Sequence, residues 1–194
     1  MKFVLASSNT HKAEELNQLL NSGGLSIVPA DNKFDIVENG STFQENSFKK
    51  AYGYFQELKV PTLADDSGLV IPARPDILGV QSARYAPELP DYQDKNLALL
   101  DDIKELKGEE RKAFFVCYLC FYLSTQEVYF FEGKVHGMIA DSLSGSDGFG
   151  YDPIFIPDGQ GGKSMAEVGE WKMANSHRAK ACSAAQKFFQ GYIN

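Results

Sequence analysis

Four apolar residues, Phe3 to Ala6, stand between Lys2 and the polar string Ser7-Ser8-Asn9, which predicts a short strand over Lys2 to Ala6. From Thr10 to Asn21 the apolar positions Ala13, Leu16, Leu19 and Leu20 recur on one face of a helix that stops before Gly23-Gly24, and Leu25 to Pro29 is a second short strand. Ser41-x-x-Gln44 and Thr42-x-x-Glu45 both fit a capping box, and Phe43, Ser47, Ala51, Tyr54 and Leu58 then follow at helical spacing as far as Pro61. Thr62 to Asp65 is a brief strand running into Asp-Asp-Ser-Gly. Residues 72–90, rich in Pro and Ala, form an ordered loop, and Leu99, Ile103 and Leu106 mark a third helix over Asp91 to Leu106. Lys112 to Ser124 is apolar at both alternating sets of positions, the pattern of a strand buried on two sides, with Glu127 to Gly137 as its hairpin partner. A glycine-rich loop, Gly145 to Pro153, leads to a strand at Ile154 to Ile156. The last helix starts near Ser176 and runs through Ala179, Cys182, Ala185 and Phe189. Helices around a long central hairpin, with no repeat or flexible linker, predict an α/β fold: one domain over residues 1–194, in two lobes around a shared sheet.

Composition narrows the class. With 194 residues, 43% of them apolar, the chain is long enough to bury a core without metal staples or disulfides. The longest apolar run, Ala113 to Leu123, is far shorter than the roughly 20 residues of a spanning helix, and Phe3 to Ala6 is too short for a secretory core. A cytoplasmic protein with no membrane partner is expected, and three cysteines agree with a reducing compartment. Cys117 and Cys120 form a C-x-x-C inside the apolar run, where packing is the favoured role over redox chemistry. A net charge of −7 argues against a partner made of polymeric nucleic acid. From Lys163 onward, however, five basic residues meet two acidic ones, so a +3 patch ends a chain that is otherwise −10. Such a patch beside carboxylates suits a small anion carried with a divalent cation.

Five polar clusters interrupt the packing pattern. Ser7-Ser8-Asn9-Thr10-His11-Lys12 sets small polar residues and a lysine at a helix start, where unpaired N–H groups favour an anion, although alone it reads first as a cap with a solvated lysine. Asp65-Asp66-Ser67-Gly68 places two carboxylates side by side, and with Glu38 and Glu45 upstream a hard oxygen set for Mg²⁺ can be assembled; the alternative is an Asp-rich turn. Gly148 to Asp152 combines glycines that allow close backbone approach with aromatic faces for a base. Lys172, His177 and Arg178 crowd three basic groups at a helix start, against its dipole. Ser82-Ala83-Arg84-Tyr85 offers an arginine that serves as well for an ion pair as for a ligand. Gly162-Lys163-Ser164 is no P-loop tail, because Pro157 takes the place of the first glycine, and Pro153 spoils a dinucleotide fingerprint at Gly148-Phe149-Gly150.

Taken in order, these strings resemble the inosine/xanthosine triphosphate pyrophosphatase family, enzymes that hydrolyse non-standard purine nucleoside triphosphates. The match runs through Leu5 to Lys12, Glu38 to Asn46, Asp65 to Leu69, Ser82 to Tyr85, Gly148 to Phe155, and Ala166-Glu167 to Arg178. The resemblance implies an elongated two-lobed α/β structure, a long central mixed sheet with a deep substrate cleft, and a homodimer. It implies that Ser7, Ser8, Asn9, Thr10, His11 and Lys12 hold the phosphates. Glu38 and Asp66 would bind Mg²⁺, with Mn²⁺ as a substitute, Asp66 would also be the general base, and Ser67 would contact substrate. Phe149, Gly150, Tyr151 and Asp152, with Lys172, His177 and Arg178, would surround the purine. This chain departs from the family at Ser8, usually glycine, and at Leu78 and Gln81, where a proline and an aromatic are usual. The alternatives are a Maf-type nucleotide pyrophosphatase, which typically has Pro-Arg-Arg where this chain has Asn9-Thr10-His11, and a nucleotide-binding sensor without turnover.

Overall fold

The computed structural model describes every residue except Ser22, Gly23 and Asn194, so the expected stop of the first helix at Gly23 lies outside the described residues. β1 (Lys2–Leu5) leads into α1 (Thr10–Asn21) and β2 (Ser26–Pro29); α2 (Phe43–Leu58) precedes β3 (Thr62–Val70), and α3 (Tyr92–Asp102) precedes β4 (Lys112–Ser124) and β5 (Glu127–Ile139). β6 (Phe155–Pro157), α4 (Gly169–Asn175) and α5 (His177–Ile193) complete the chain. The strands make one open, mixed sheet in the order β2-β1-β3-β4-β5-β6. β1 runs parallel to both β2 and β3, with Phe3 opposite Ile27 and Leu5 opposite Leu63, whereas β5 and β6 are antiparallel, Ile139 opposite Phe155. Among the described residues no helix is long and apolar enough to cross a membrane.

The chain divides into two compact units. Unit 1 holds Met1–Ser67, Cys117–Lys134 and His177–Asn194; unit 2 holds Gly68–Val116 and Val135–Ser176. In unit 1 the period-2 alternation of the strands builds a core on each face of the sheet. Phe3, Leu5, Leu63, Leu119 and Phe121 meet Leu16 and Leu20 of α1 and Ala185 and Phe189 of α5. The intervening positions, Ala64, Cys120 and Tyr122, meet Ala51 and Tyr54 of α2. Each fully buried Phe or Leu here contributes about 1.5–3 kcal/mol. Cys117 belongs to the first core and Cys120 to the second, because an i,i+3 pair on a strand points to opposite faces. The C-x-x-C is therefore a pair of separate packing cysteines. In unit 2, Leu99 and Ile103 pack on Phe115, Val135, Ile139 and Phe155.

The structure corrects three expected elements and adds one. β3 continues through Asp65 and Asp66 to Val70, so the acid pair sits within a strand and not at its end. The third helix ends at Asp102, capped by Asp91 at its start. β6 begins one residue later than expected, and α4, seven residues long, was not foreseen.

One charged cluster lies inside unit 1. Asp65, buried among β3's neighbours, accepts from Lys12 Nζ at 2.6 Å and Ser67 Oγ at 3.1 Å on Oδ1, and from Arg178 Nε at 3.2 Å and the Cys117 thiol at 3.0 Å on Oδ2. Arg178 also donates to Glu15 and, at 2.9 Å, to Ser67 Oγ. Helices α1 and α5 are thereby tied to β3. Burial alone would raise the Asp65 carboxyl, but the Arg178 guanidinium and the Lys12 ammonium outweigh it and hold it well below the usual aspartate range. Its contribution to stability is then complete above the unfolded value of about 3.9 and is lost as pH falls from there through the lowered folded value. Arg178→Ala, which strands a buried carboxylate, is expected to lower the unfolding free energy by about 3–5 kcal/mol in urea titrations. Asp65→Asn should flatten the acid limb of the stability profile. A cost below about 1 kcal/mol for the first, or an unchanged acid limb in the second, would show that Asp65 is not held ionised.

Candidate active site

The carboxylate corner is built by the start of α2. Thr42 Oγ1 accepts the Glu45 N–H at 3.1 Å, and Glu45 reaches back to the Ser41 N–H at 2.9 Å, one residue earlier than a standard capping box. Asn46 Oδ1 accepts the Gly40 N–H at 2.7 Å, and a Cβ on Gly40 would lie 2.6 Å from that oxygen, so the chain can pass this close only with glycine there. Glu38 is held two residues upstream of this clasp. One turn after Asn46, Lys50 extends from the same helix face, its Nζ 2.8 Å from Glu38 Oε2 and 3.3 Å from Asp66 Oδ1. Asp66 is buried, and its Oδ2 has no hydrogen-bond partner among the described residues. Burial pushes its carboxyl above the ordinary range; the Lys50 and Lys12 ammonium groups oppose that shift, and the Asp65 and Glu38 charges add to it.

At the start of α1, Ser7 Oγ accepts the Asn9 N–H at 3.2 Å, and Asn9 Oδ1 accepts the Lys12 N–H at 3.0 Å, which makes Asn9 the cap. Ser8, Asn9, Thr10 and His11 are exposed. The conflict of Lys12 with the helix dipole is resolved by Asp65, a carboxylate of the chain itself. At α5, a Cβ on Gly133 of β5 would lie 2.0 Å from the His177 carbonyl oxygen, so only glycine lets the first turn of this helix rest on the strand. His177 and Arg178 are both buried there.

In unit 2 the glycine loop is braced from inside. Gly148 has φ +80°, and a Cβ on it would meet Asp152 Oδ2 at 2.2 Å. That oxygen accepts from the Phe149 N–H and from Lys172 Nζ, each at 2.8 Å. Lys172 Nζ also lies 4.8 Å over the centre of the Phe149 ring, a cation–π contact. The Gly150 carbonyl accepts from Asn96 Nδ2 at 3.0 Å, and the Tyr151 hydroxyl donates to the Ser82 carbonyl at 2.7 Å. Tyr151 is buried, so Phe149, half-buried, is the aromatic of this loop that a base can meet. Lys172 lies in the last turn of α4, not at the start of a helix, where its charge suits the dipole. Arg84 donates to Gln81 Oε1 and the Val80 carbonyl, and Tyr85 donates to Asp102, so both tie their own loop down.

Thus Ser7 to Lys12, Glu38, Asp66, Ser67, His177 and Arg178 belong to unit 1, and Phe149 to Asp152 with Lys172 belong to unit 2. Sequence reasoning missed Lys50, Asn46 and Glu15. For Asn46 and Lys50 a signal existed: each precedes the next of the series Asn46, Lys50, Tyr54 by one turn, along the edge of the stripe taken as core.

Comparison with known proteins identifies the family. Residues 3–188 match the profile described as the Ham1 family. A dITP/XTP pyrophosphatase of Clostridium perfringens is 37% identical over 99% of this chain and 98% of its own length. One from Thermus thermophilus is 42% identical over 95% and 89%. A HAM1 protein from Coxiella burnetii superposes with a TM-score of 0.89 at 32% identity, covering 98% of this chain and 99% of that one. The Staphylococcus aureus Ham1 protein gives 0.85 at 34%, over 99% and 100%. With a family profile spanning nearly the whole chain, and relatives this similar over their full length, the protein belongs to the Ham1 family.

Proposed function

We propose that this protein hydrolyses the non-standard purine nucleoside triphosphates ITP, dITP and XTP to the monophosphate and pyrophosphate, using Mg²⁺, or Mn²⁺ in its place, held by Glu38 and Asp66. The observation that carries the reading is the unequal treatment of two adjacent carboxylates. Asp65 has donors on both oxygens, whereas Asp66 keeps a buried Oδ2 with none. An open buried acceptor costs about 1–3 kcal/mol, and a hard cation or a water proton would satisfy it. Among the described residues no group of three or more His, Cys, Asp or Glu is placed to hold a metal. Two carboxylates nevertheless suit Mg²⁺, which characteristically takes one or two from the protein and completes its shell with water and phosphate oxygens. The names of the relatives support the choice of substrate.

When bound, the cation would offset phosphate charge and polarise the reacting phosphoryl group. Asp66 Oδ2, the open acceptor of the corner, takes the proton of the attacking water. The polar groups of Ser7 to His11 hold the outer phosphates, with Lys12, kept on Asp65, in the first turn of the same helix, and Ser67 contacts the substrate. Phe149 stacks on the base, within the ring of Gly150, Tyr151 and Asp152. Lys172 and His177 supply donors to its edge, and Arg178, committed to Asp65, Glu15 and Ser67, fixes the first turn of α5 that carries His177. A donor facing O6 of hypoxanthine or xanthine makes a hydrogen bond, whereas facing the amino group of adenine it meets another donor. The protein is read as a cytoplasmic homodimer, a state that sedimentation measures directly.

Activity should vanish in EDTA and return with Mg²⁺ or Mn²⁺. Asp66→Asn should lose at least about two to three orders of magnitude in kcat with the fold retained, as expected for a base and a ligand lost together, and Glu38→Gln should be partly rescued by excess metal. Near-normal turnover by Asp66→Asn would remove both roles from this residue. Phosphorus NMR of a triphosphate panel tests bond and substrate at once. Pyrophosphate is the expected product, and kcat/KM for ITP, dITP and XTP should exceed that for ATP by at least about a hundredfold, with GTP between. Orthophosphate as product would indicate a different hydrolase, and equal use of ATP would refute the purine recognition while leaving the pyrophosphatase reading intact.

A further inference from the structure

The corner assigned to the metal already contains a cation. Lys50 places its ammonium within 3.3 Å of both Glu38 and Asp66, with only 14% of its side chain exposed. Two adjacent residues of β3 show what is unusual about this pair. Asp65, locked in a structural cluster, has every contact closed: two donors on each oxygen. At Asp66 the lysine engages Oδ1 and leaves the buried Oδ2 open. A bond that exists only to pack α2 on the sheet would gain from closing both oxygens, and the neighbouring residue demonstrates that the sheet can do so. A lysine suits temporary occupation, since its ammonium is a point charge on a flexible four-carbon stem without the fixed fork of arginine.

We propose that Lys50 is a resident counter-cation. Without metal it holds Glu38 and Asp66 together against their mutual repulsion; a divalent cation arriving at those carboxylates displaces the ammonium, so Lys50 sets how tightly the metal binds. The proposal rests on the metal site of the proposed function. An ammonium and a divalent cation a few ångströms apart repel strongly, so the two cannot share the same oxygens. The lysine therefore weakens binding of the bare metal and keeps the corner assembled until it comes. Lys50 is in this sense a positioning residue, acting through the two carboxylates.

The test is Mn²⁺ binding to the full chain without nucleotide, followed by electron paramagnetic resonance, with thermal unfolding measured in parallel. Lys50→Met keeps the stem and removes the charge. It should bind Mn²⁺ at least about tenfold more tightly than wild type, melt at a lower temperature without metal, and gain more in Tm from saturating Mn²⁺. Lys50→Arg, which keeps the charge, should show no such tightening, and Lys50→Gln provides the neutral variant if methionine impairs folding. Unchanged or weaker Mn²⁺ affinity in the neutral variants overturns the proposal. Asp66→Asn separates the two levels: if it abolishes Mn²⁺ binding while Lys50→Met leaves binding unchanged, the counter-cation fails and the metal site stands. If neither variant alters Mn²⁺ binding, both fail.

Discussion

Successive side chains of a β-strand point to opposite faces, and at Asp65 and Asp66 that alternation governs the chemistry of unit 1. Two neighbouring carboxylates on one face would repel each other near an apolar core. On a continuous strand they never share a face, and each is answered separately. Asp65 turns toward α1 and α5, where Lys12 and Arg178 neutralise it. Asp66 turns toward α2, where Lys50 does so in part. One face becomes a closed structural cluster and the other an open chemical one, from a single dipeptide.

The closed cluster is not the source of most of the stability. Much of the attraction between Asp65 and its cations goes to offset their desolvation, and apolar replacements of buried ion pairs are often neutral or better. The aromatic and aliphatic cores around Phe3, Phe121 and Phe189 supply the driving force. What the ion pair provides is registry. Arg178 fixes the first turn of α5 against β3, Gly133 lets that turn settle on β5, and Lys12 fixes the first turn of α1. Residues that come from positions 12, 65, 133 and 178 thereby acquire one geometry.

Long periodic elements were legible in the sequence. α1 and α2, with their apolar stripes and, in α2, a recognisable cap, and β4, apolar at both alternating sets, occupy the expected spans. What was misread had its cause far away in the chain. Asp-Asp-Ser-Gly has the composition of a turn, and nothing local reveals that β3 continues, because the groups that make it tolerable come from Lys12, Lys50, Cys117 and Arg178. α4 is too short to show a period. Lysine on a helix normally reads as a solvated face, so Lys50 went unnoticed although it stands among buried positions. The candidate site strings were singled out by their chemistry, but pairing is not written locally: Lys12 and Arg178, read as opposing helix dipoles with either a ligand or solvent to answer them, are answered by Asp65 and, for Arg178, also by Glu15.

That relief bears on what the site needs from outside. Within unit 1 the cluster brings Lys12, Lys50 and Arg178 to Glu15, Glu38, Asp65 and Asp66, three positive charges against four negative. Of the five basic residues in the C-terminal stretch, Arg178 is spent in this cluster and Lys172 on Asp152, while Lys163, Lys180 and Lys187 stay exposed, and the corner carries a net negative charge before any ligand arrives. A nucleoside triphosphate brings about four more negative charges, and positioning it beside two carboxylates is unfavourable unless positive charge comes with it. Side chains already committed to one another cannot provide that charge without exposing their partners. Under the proposed function a divalent cation delivered with the nucleotide would, because it would supply charge to Glu38, Asp66 and the phosphates at once while leaving the Asp65 cluster closed. The charge balance around β3 is thus the physical reason the proposed function calls for a cation that enters with its substrate and not for a lysine-rich pocket that binds phosphates alone.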